Sequence, residues 1–407
     1  MELDMERLEN IFSQQPDSDN WEQLIQCLDN WPDYPSLSAA VDYAQAQLTN
    51  WPDYLRTPPN RYWQAILDGA PLPGWWKLIR HIEWGGEDNI IDQFPIEGLE
   101  NITSIKLETN ICLSGEELNF LARVNKLGAL RWYDLIESLE ELPEDEPIDE
   151  ILDAAEQQLS NLPDEKRTVT TEYWQEILEG ITDIPRWWKL VRHIKLAEDD
   201  NFIDPFPRSI LENLTSLDVG ARRFIVPEEL DVIAELTQLK SLNLSYQEFL
   251  GDLQPLTNLT KLVSLELIGC LNLIDLSGLS ELVNLEKLDL SSCNQLSNLK
   301  PLTALKSLVW LKIEECEAVA DLTPLSEITT LKFFNLSNCK SITDISPLAG
   351  LNQLKFLDLI GCDSLTDLTP LSNLTNLNEL HLGGDSIDNL STVATLIELE
   401  SIYLDSL

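Results

Sequence analysis

Residues 354–373 read "LKFLDLIGCDSLTDLTPLSN" and hold a single cysteine, Cys362. Stepping back along the chain by 23 residues at a time meets Cys339, Cys316, Cys293 and Cys270. A thiol at one phase five times running, never beside a mate, marks an internal repeat. Aligning on it brings out the rest. Leu282, Leu285, Leu288 and Leu290 precede Cys293; Leu305, Leu308, Leu311 and Ile313 precede Cys316; Leu351, Leu354, Leu357 and Leu359 precede Cys362. After each cysteine comes an apolar residue three places on, then typically "DLTPL", "DISPL" or "NLKPL". The unit is L-x-x-L-x-x-L-x-L-x-x-C-x-x-L-x-D-L-x-P-L, a short strand followed by a turn in every coil.

This pattern resembles the leucine-rich repeat, and its tail resembles the internalin-type bacterial class lengthened by one residue. The resemblance covers about Leu211 to Leu407, with further strands ending at Val219, Leu244, Leu382 and Leu404, nine in all. It implies an α/β solenoid of horseshoe type with a buried column of small residues. A cysteine fills such a position as a small hydrophobe with a weak S–H donor. Gln247 and Asp385 hold the phase at the margins. The thiols are expected to be buried, unpaired and unreactive, in a reducing compartment. Asp252, Asp275, Asp321, Asp344 and Asp367, with Asn298 in one unit, recur in phase. They are read as caps accepting a backbone N–H two or three residues on. A calcium column is the sharper alternative, weakened by the neutral Asn298.

The first half is a different object, made twice. "RYWQAILDGAPLPGWWKLIRHIEWGGEDNIIDQFP" (61–95) matches "EYWQEILEGITDIPRWWKLVRHIKLAEDDNFIDPFP" (172–207). Trp63 corresponds to Trp174, and Trp75, Trp76, His81 and Phe94 to Trp187, Trp188, His193 and Phe206. Downstream, "LENITSIKL" matches "LENLTSLDV". Each copy is expected to be helical and to end in a repeat-like strand, so the domains are placed at 1–110, 111–210 and 211–407. "SLSAAVDYAQAQLTN" and "IDEILDAAEQQLSN" read as helices. "WWKLIRHI" and "WWKLVRHI" are expected to be helical too, with one buried stripe. Lys77, Arg80, His81, Lys189, Arg192 and His193 could hold a phosphate or RNA; pairing with neighbouring carboxylates is the plainer expectation.

Seventy acidic side chains face 27 basic ones, a net charge of −43. Such a surface repels nucleic acid and anionic lipid and favours basic protein partners. The start, "MELDMERLEN", has no apolar stretch of signal-peptide type, and no long apolar run suits a membrane, so a cytoplasmic protein is expected. No phosphate-binding loop, dinucleotide fingerprint, zinc motif or nucleophile elbow occurs. Neither an enzyme nor a metal or other cofactor is expected.

The alternation of each strand places the residues beside the buried leucines on the concave face. Six places before the ladder residue stand Trp310, Phe333 and Phe356, in consecutive coils. Four places before it stand Asp289, Lys312, Asp358, His381 and Tyr403. Aromatics amid polar residues suit a protein-binding anchor; cross-strand packing alone is the competing explanation. The reading is a non-enzymatic protein-binding scaffold or adaptor whose partner offers a basic or apolar anchor. The alternative is an acidic inhibitor or immunity protein that blocks a basic toxin or nuclease. The final strand leaves an uncapped edge, and charge favours a monomer over a homodimer.

Overall fold

The computed structural model describes residues 2–32, 34–59, 62, 65–66, 68–84, 94–108, 111–170, 173, 176–177, 183–196, 211–219, 225, 227–383 and 393–405. Trp63, Trp174, Phe206 and Asp385 lie outside them. Two compact units divide the chain: Met1–Lys166 with Pro185–Leu190, and Arg167–Ile184 with Val191–Leu407.

The first unit opens with helices α1 (Glu2–Phe12), α2 (Ser18–Asp29) and α3 (Tyr34–Gln47). In α2, Trp21, Leu24, Ile25 and Leu28 recur at helical spacing and are buried. The Asp17 carboxylate starts the helix by accepting the Asn20 N–H at 2.7 Å, which satisfies one otherwise orphaned donor. Strand β1 (His81–Trp84), the short helix α4 (Ile96–Leu99) and strand β2 (Ser104–Leu107) follow. β1 and β2 pair in parallel, His81 opposite Ser104. Helices α5 (Gly115–Arg123), α6 (Trp132–Glu140) and α7 (Asp149–Gln158) complete the unit. Ser114 and Glu117 form a reciprocal capping box on α5.

The expectation of one helical stripe in "WWKLIRHI" is corrected. Trp76–Leu78 is a single 3₁₀ turn and His81 begins a strand. In β1, Ile82 and Trp84 are buried on either side of the exposed Glu83, as an extended chain requires, with His81 buried at the strand start. The second copy behaves alike, with a 3₁₀ turn over Arg186–Leu190 and strand β3 (His193–Leu196).

The second unit is a ten-stranded, all-parallel sheet among the described residues. After β3 come β4 (Ser216–Val219), helix α8 (Pro227–Ala234), β5 (Ser241–Asn243), β6 (Ser264–Glu266), β7 (Lys287–Asp289), β8 (Trp310–Lys312), β9 (Phe333–Asn335), β10 (Phe356–Leu359), β11 (Glu379–Gly383) and β12 (Ser401–Asp405). The strands lie in sequence order, so each coil stacks on the last. The sheet therefore begins at His193, one strand before the stretch in which the leucine phase is plain. The 23-residue period is its register: Ser241 pairs with Ser264, Lys287 with Trp310, Phe333 with Phe356.

Among the described residues, the six coils from β5 to β10 each turn out of the strand at one residue of left-handed backbone. Tyr246, Gly269, Ser292, Glu315, Asn338 and Gly361 have φ between 59° and 69°. They stand immediately before Gln247 and the five cysteines. The next residue then points inward. All five ladder thiols are buried, and each donates to the carbonyl of the residue 26 places earlier, at 2.9–3.3 Å. Gln247 takes the same place with its carboxamide, accepting the Ile225 N–H at 2.7 Å. The Asp and Asn column closes the next turn. Asp252, Asp275, Asn298, Asp321, Asp344 and Asp367 each accept the N–H two residues on, at 2.8–3.0 Å. No helix among the described residues is long and apolar enough to cross a membrane.

Candidate functional site: a ring ladder on the sheet face

Strand alternation turns two columns of side chains out of the sheet. In β8, Trp310 and Lys312 flank the buried Leu311; in β9, Phe333 and Asn335 flank Phe334; in β10, Phe356 and Asp358 flank Leu357. In-register pairing sets Trp310 against Phe333 and Phe333 against Phe356. Their rings stack nearly parallel, with centroids 5.0 and 4.3 Å apart and planes inclined by 11° and 5°. All three are half-buried.

The ladder then steps sideways. Phe356 pairs in register with Glu379, but its ring meets His381 edge-on at 5.0 Å, and His381 lies 5.5 Å from Tyr403. Five rings thus run unbroken from β8 to β12. The nitrogens of His381 face two carboxylates, Nε2 at 2.8 Å from Glu379 and Nδ1 at 3.3 Å from Asp358. The sequence lists these rings in two separate columns; their continuity is a product of the diagonal contact.

Two members of the expected set are placed differently from the expectation. Asp289 and Asp358 stand in the outward column, yet they are only 6% and 8% exposed. Asp289 accepts from the N–H and hydroxyl of Ser291 at 2.9 and 2.5 Å. Asp358 accepts from the Ile360 N–H at 3.0 Å as well as facing His381. Asn243 and Asn335 make the same turn with Ser245 and Ser337. A short side chain at this phase folds over the strand end and satisfies a backbone donor there. These carboxylates are structural acceptors before they are surface charges.

Lys312 is 2.7 Å from Glu314. Burial opposes its charge, but Glu314, with Asp289 and Asp358 near, outweighs burial and holds the ammonium above its usual range. Glu266 carries the opposite strain. Burial, Asp289 and Asp218 together push its carboxyl upward.

The basic side chains of the duplicated segment are engaged locally. Lys77 meets Asp42 at 2.5 Å and Lys189 meets Asp153 at 2.9 Å. Arg80 donates to the Lys77 and Ile79 carbonyls. His81 Nδ1 lies 3.0 Å from Ser104 Oγ, and His193 Nδ1 lies 2.8 Å from Ser216 Oγ. Burial pulls His81 downward from its ordinary range. A further pair escaped the sequence reading. Arg56 and Arg167, 111 residues apart, are both buried, and each carbonyl accepts the N–H groups that lead into the following strand. The Arg56 guanidinium also donates to Leu78 O at 2.9 Å, and burial, with Arg80 nearby, pulls it down to about 10.

Comparison with known proteins agrees with this geometry. Residues 329–373 match the family model for leucine-rich repeats, in two copies. The repeat array of this chain is a leucine-rich-repeat solenoid with a cysteine ladder, and it is similar to internalins. Internalin C2 of Listeria monocytogenes is similar at 27% identity, over 51% of this chain and 87% of that one, with a TM-score of 0.42. The functional domain of InlJ from the same organism, which includes a cysteine ladder, is similar at 20% identity over 51% and 52% of the two chains, TM-score 0.32. A leucine-rich-repeat protein of Leptospira interrogans is similar at 18% identity over 90% and 98%, TM-score 0.45. No curated protein matches significantly.

Proposed function

We propose that this chain is a non-enzymatic protein-binding scaffold that seats its partner on the ring ladder of strands β8 to β12. Leucine-rich-repeat arrays are in general binding scaffolds, because stacked coils give a long continuous face. The observation that carries the reading here is the stack of Trp310, Phe333 and Phe356, half-exposed amid charged side chains. Large rings ringed by polar groups are the usual make-up of an interface anchor. Lys312, His381 and Tyr403 extend the same face, with Asp289 and Asp358 setting its local charge. The reading places the chain in the cytoplasm as a monomer; five unpaired, buried thiols support a reducing compartment.

The test is affinity capture with the intact chain, then a binding titration with the captured protein. Each of Trp310→Ala, Phe333→Ala and Phe356→Ala is expected to cost on the order of 2 kcal/mol, with the circular dichroism spectrum unchanged. A triple variant that binds with undiminished affinity overturns the proposal. A second reading, inhibition of a basic toxin or nuclease, is favoured by the net charge of −43 and by the crowding of Glu266 with Asp218 and Asp289. Recovery of one cognate enzyme rather than an assembly selects it.

A further inference from the structure

The stacking of the ladder restricts what chemistry can bind there. A cation is attracted to the face of an aromatic ring, where the quadrupole is negative. Phe333 has both faces covered, by Trp310 and by Phe356. The ring normals run along the stack from strand to strand, so ring edges point away from the sheet. Edges carry the positive side of the quadrupole. Among the described residues, the Trp310 indole N–H has no hydrogen-bond partner. The ladder therefore suits a partner group that accepts, not a cation.

The flank of the ladder points the same way. Lys332 directly precedes Phe333 and Lys355 directly precedes Phe356. The Lys355 N–H donates to the Lys332 carbonyl at 2.8 Å, so the two lysines are neighbours on adjacent coils. Both are exposed. Lys261, Lys306, Lys312 and Lys340 of the same array are engaged by Gln238, Glu327, Glu314 and Glu317. Among the described residues neither Lys332 nor Lys355 has an ion pair. Both lysines thus stand without an ion pair in a chain with 70 acidic residues. They line a cavity of about 350 Å³ together with Gln353, Asn376, Asn378 and Glu398. Three of those four supply carboxamides, which donate as well as accept; the Asn376 amide already donates to Asn352 O at 2.6 Å, which leaves Gln353 and Asn378 as the donors with no other partner among the described residues, and only Glu398 opposes an anion.

We propose that this cavity is an oxyanion site, and that the segment bound by the ring ladder carries a carboxylate or phosphate group that enters it. Two flexible ammonium groups converge on such a group as point charges, with carboxamide N–H donors completing its coordination. The partner is thus an apolar segment with an adjacent anionic group. This rests on the ladder being a binding face.

The experiment titrates the intact chain with inorganic phosphate, followed by phosphorus NMR, and with labelled acetate, followed by carbon NMR. Ionic strength is held constant with sodium chloride. Saturable perturbation of either anion, weakened about tenfold or more in Lys332→Gln/Lys355→Gln, is the expected result. An effect of phosphate alone assigns a phosphoryl group; an effect of acetate assigns a carboxylate. No saturable effect of either anion, or an effect unchanged in the double variant, overturns the proposal. The triple alanine variant of the rings is titrated in parallel and is expected to keep the anion response. Loss of partner affinity in that variant, with no anion response in the intact chain, would leave the ladder standing and remove the oxyanion site. An anion response with partner affinity unchanged would do the reverse.

Discussion

Raising the pH should unfold the repeat array through its thiols. Burial pushes Cys270 and Cys339 up to about 11 and Cys316 and Cys362 up to about 12, with Cys293 further still. In the unfolded chain each thiol ionises near ~8.5. The folded values are raised, so the folded state holds its protons where the unfolded state has lost them. The stabilisation is fully present below about pH 8.5 and drains away as pH climbs toward 11–12. Within that window each thiol contributes a slope of about 1.4 kcal/mol per pH unit, and five contribute about 7. Domain stabilities are roughly 5–15 kcal/mol, so one or two pH units suffice. Tyrosines and lysines titrate nearby, and a single-thiol comparison isolates the ladder. Urea unfolding of the intact chain and of Cys316→Ala is measured at steps between about pH 8.5 and 10.5. The variant is expected to be less stable near pH ~8.5 and to lose that deficit as the pH rises, its slope being shallower by about 1.4 kcal/mol per unit. Equal slopes would refute the reasoning, as would rapid alkylation of all five thiols in the native protein.

Three other perturbations test the coil itself. Cys316→Ser leaves a more polar group in the same dry position, with a shorter bond toward Leu290 O, and should cost about 1–3 kcal/mol in a denaturant titration. Glu315→Gly relieves left-handed backbone at φ 59° and, as Gly269 and Gly361 already do at the same phase two coils to either side, should be neutral or stabilising by up to about 1 kcal/mol; a clear loss would show that the turn depends on the Ser292–Glu315 hydrogen bond. Asp344→Ala strips the acceptor from the Ser346 N–H and hydroxyl and should cost about 1 kcal/mol, whereas Asp344→Asn should cost much less.

The repeat was legible because a stacked coil has no freedom in what it buries. Leu285, Leu288, Leu290 and Cys293 must be apolar or small whatever the surface does, so their phase survives in the letters. The outward columns were legible by alternation, and with them Trp310, Phe333 and Phe356. What alternation cannot show is a side chain that points outward and then folds back. That is why Asp289 and Asp358 read as outward-facing polar residues of the binding face and are also buried turn acceptors. The left-handed column was half visible: Gly269, Asn338 and Gly361 suit φ > 0, while Tyr246, Ser292 and Glu315 conceal it.

The strands hidden in "WWKLIRHI" and "WWKLVRHI" carry the larger lesson, because their signal was present in another alphabet. Trp76, Ile79, Ile82 and Trp84 have the spacing of Leu282, Leu285, Leu288 and Leu290, and all four are buried. Leu99, Ile102, Ile105 and Leu107 repeat it 23 residues later. Trp188, Val191, Ile194 and Leu196, followed by Leu211, Leu214, Leu217 and Val219, repeat it again in the second copy. Apolar residues three apart satisfy a helix and a leucine-rich coil equally well; the closing step of two, Ile82 to Trp84, satisfies only the coil. Tryptophan at the outer positions disguised the pattern by suggesting an aromatic helix core. The two matching N-terminal segments thus each carry a pair of spacings of the same 23-residue repeat. His81 opposite Ser104 and His193 opposite Ser216 are the first rungs of those pairs, which gives the two histidines a place in the repeat itself.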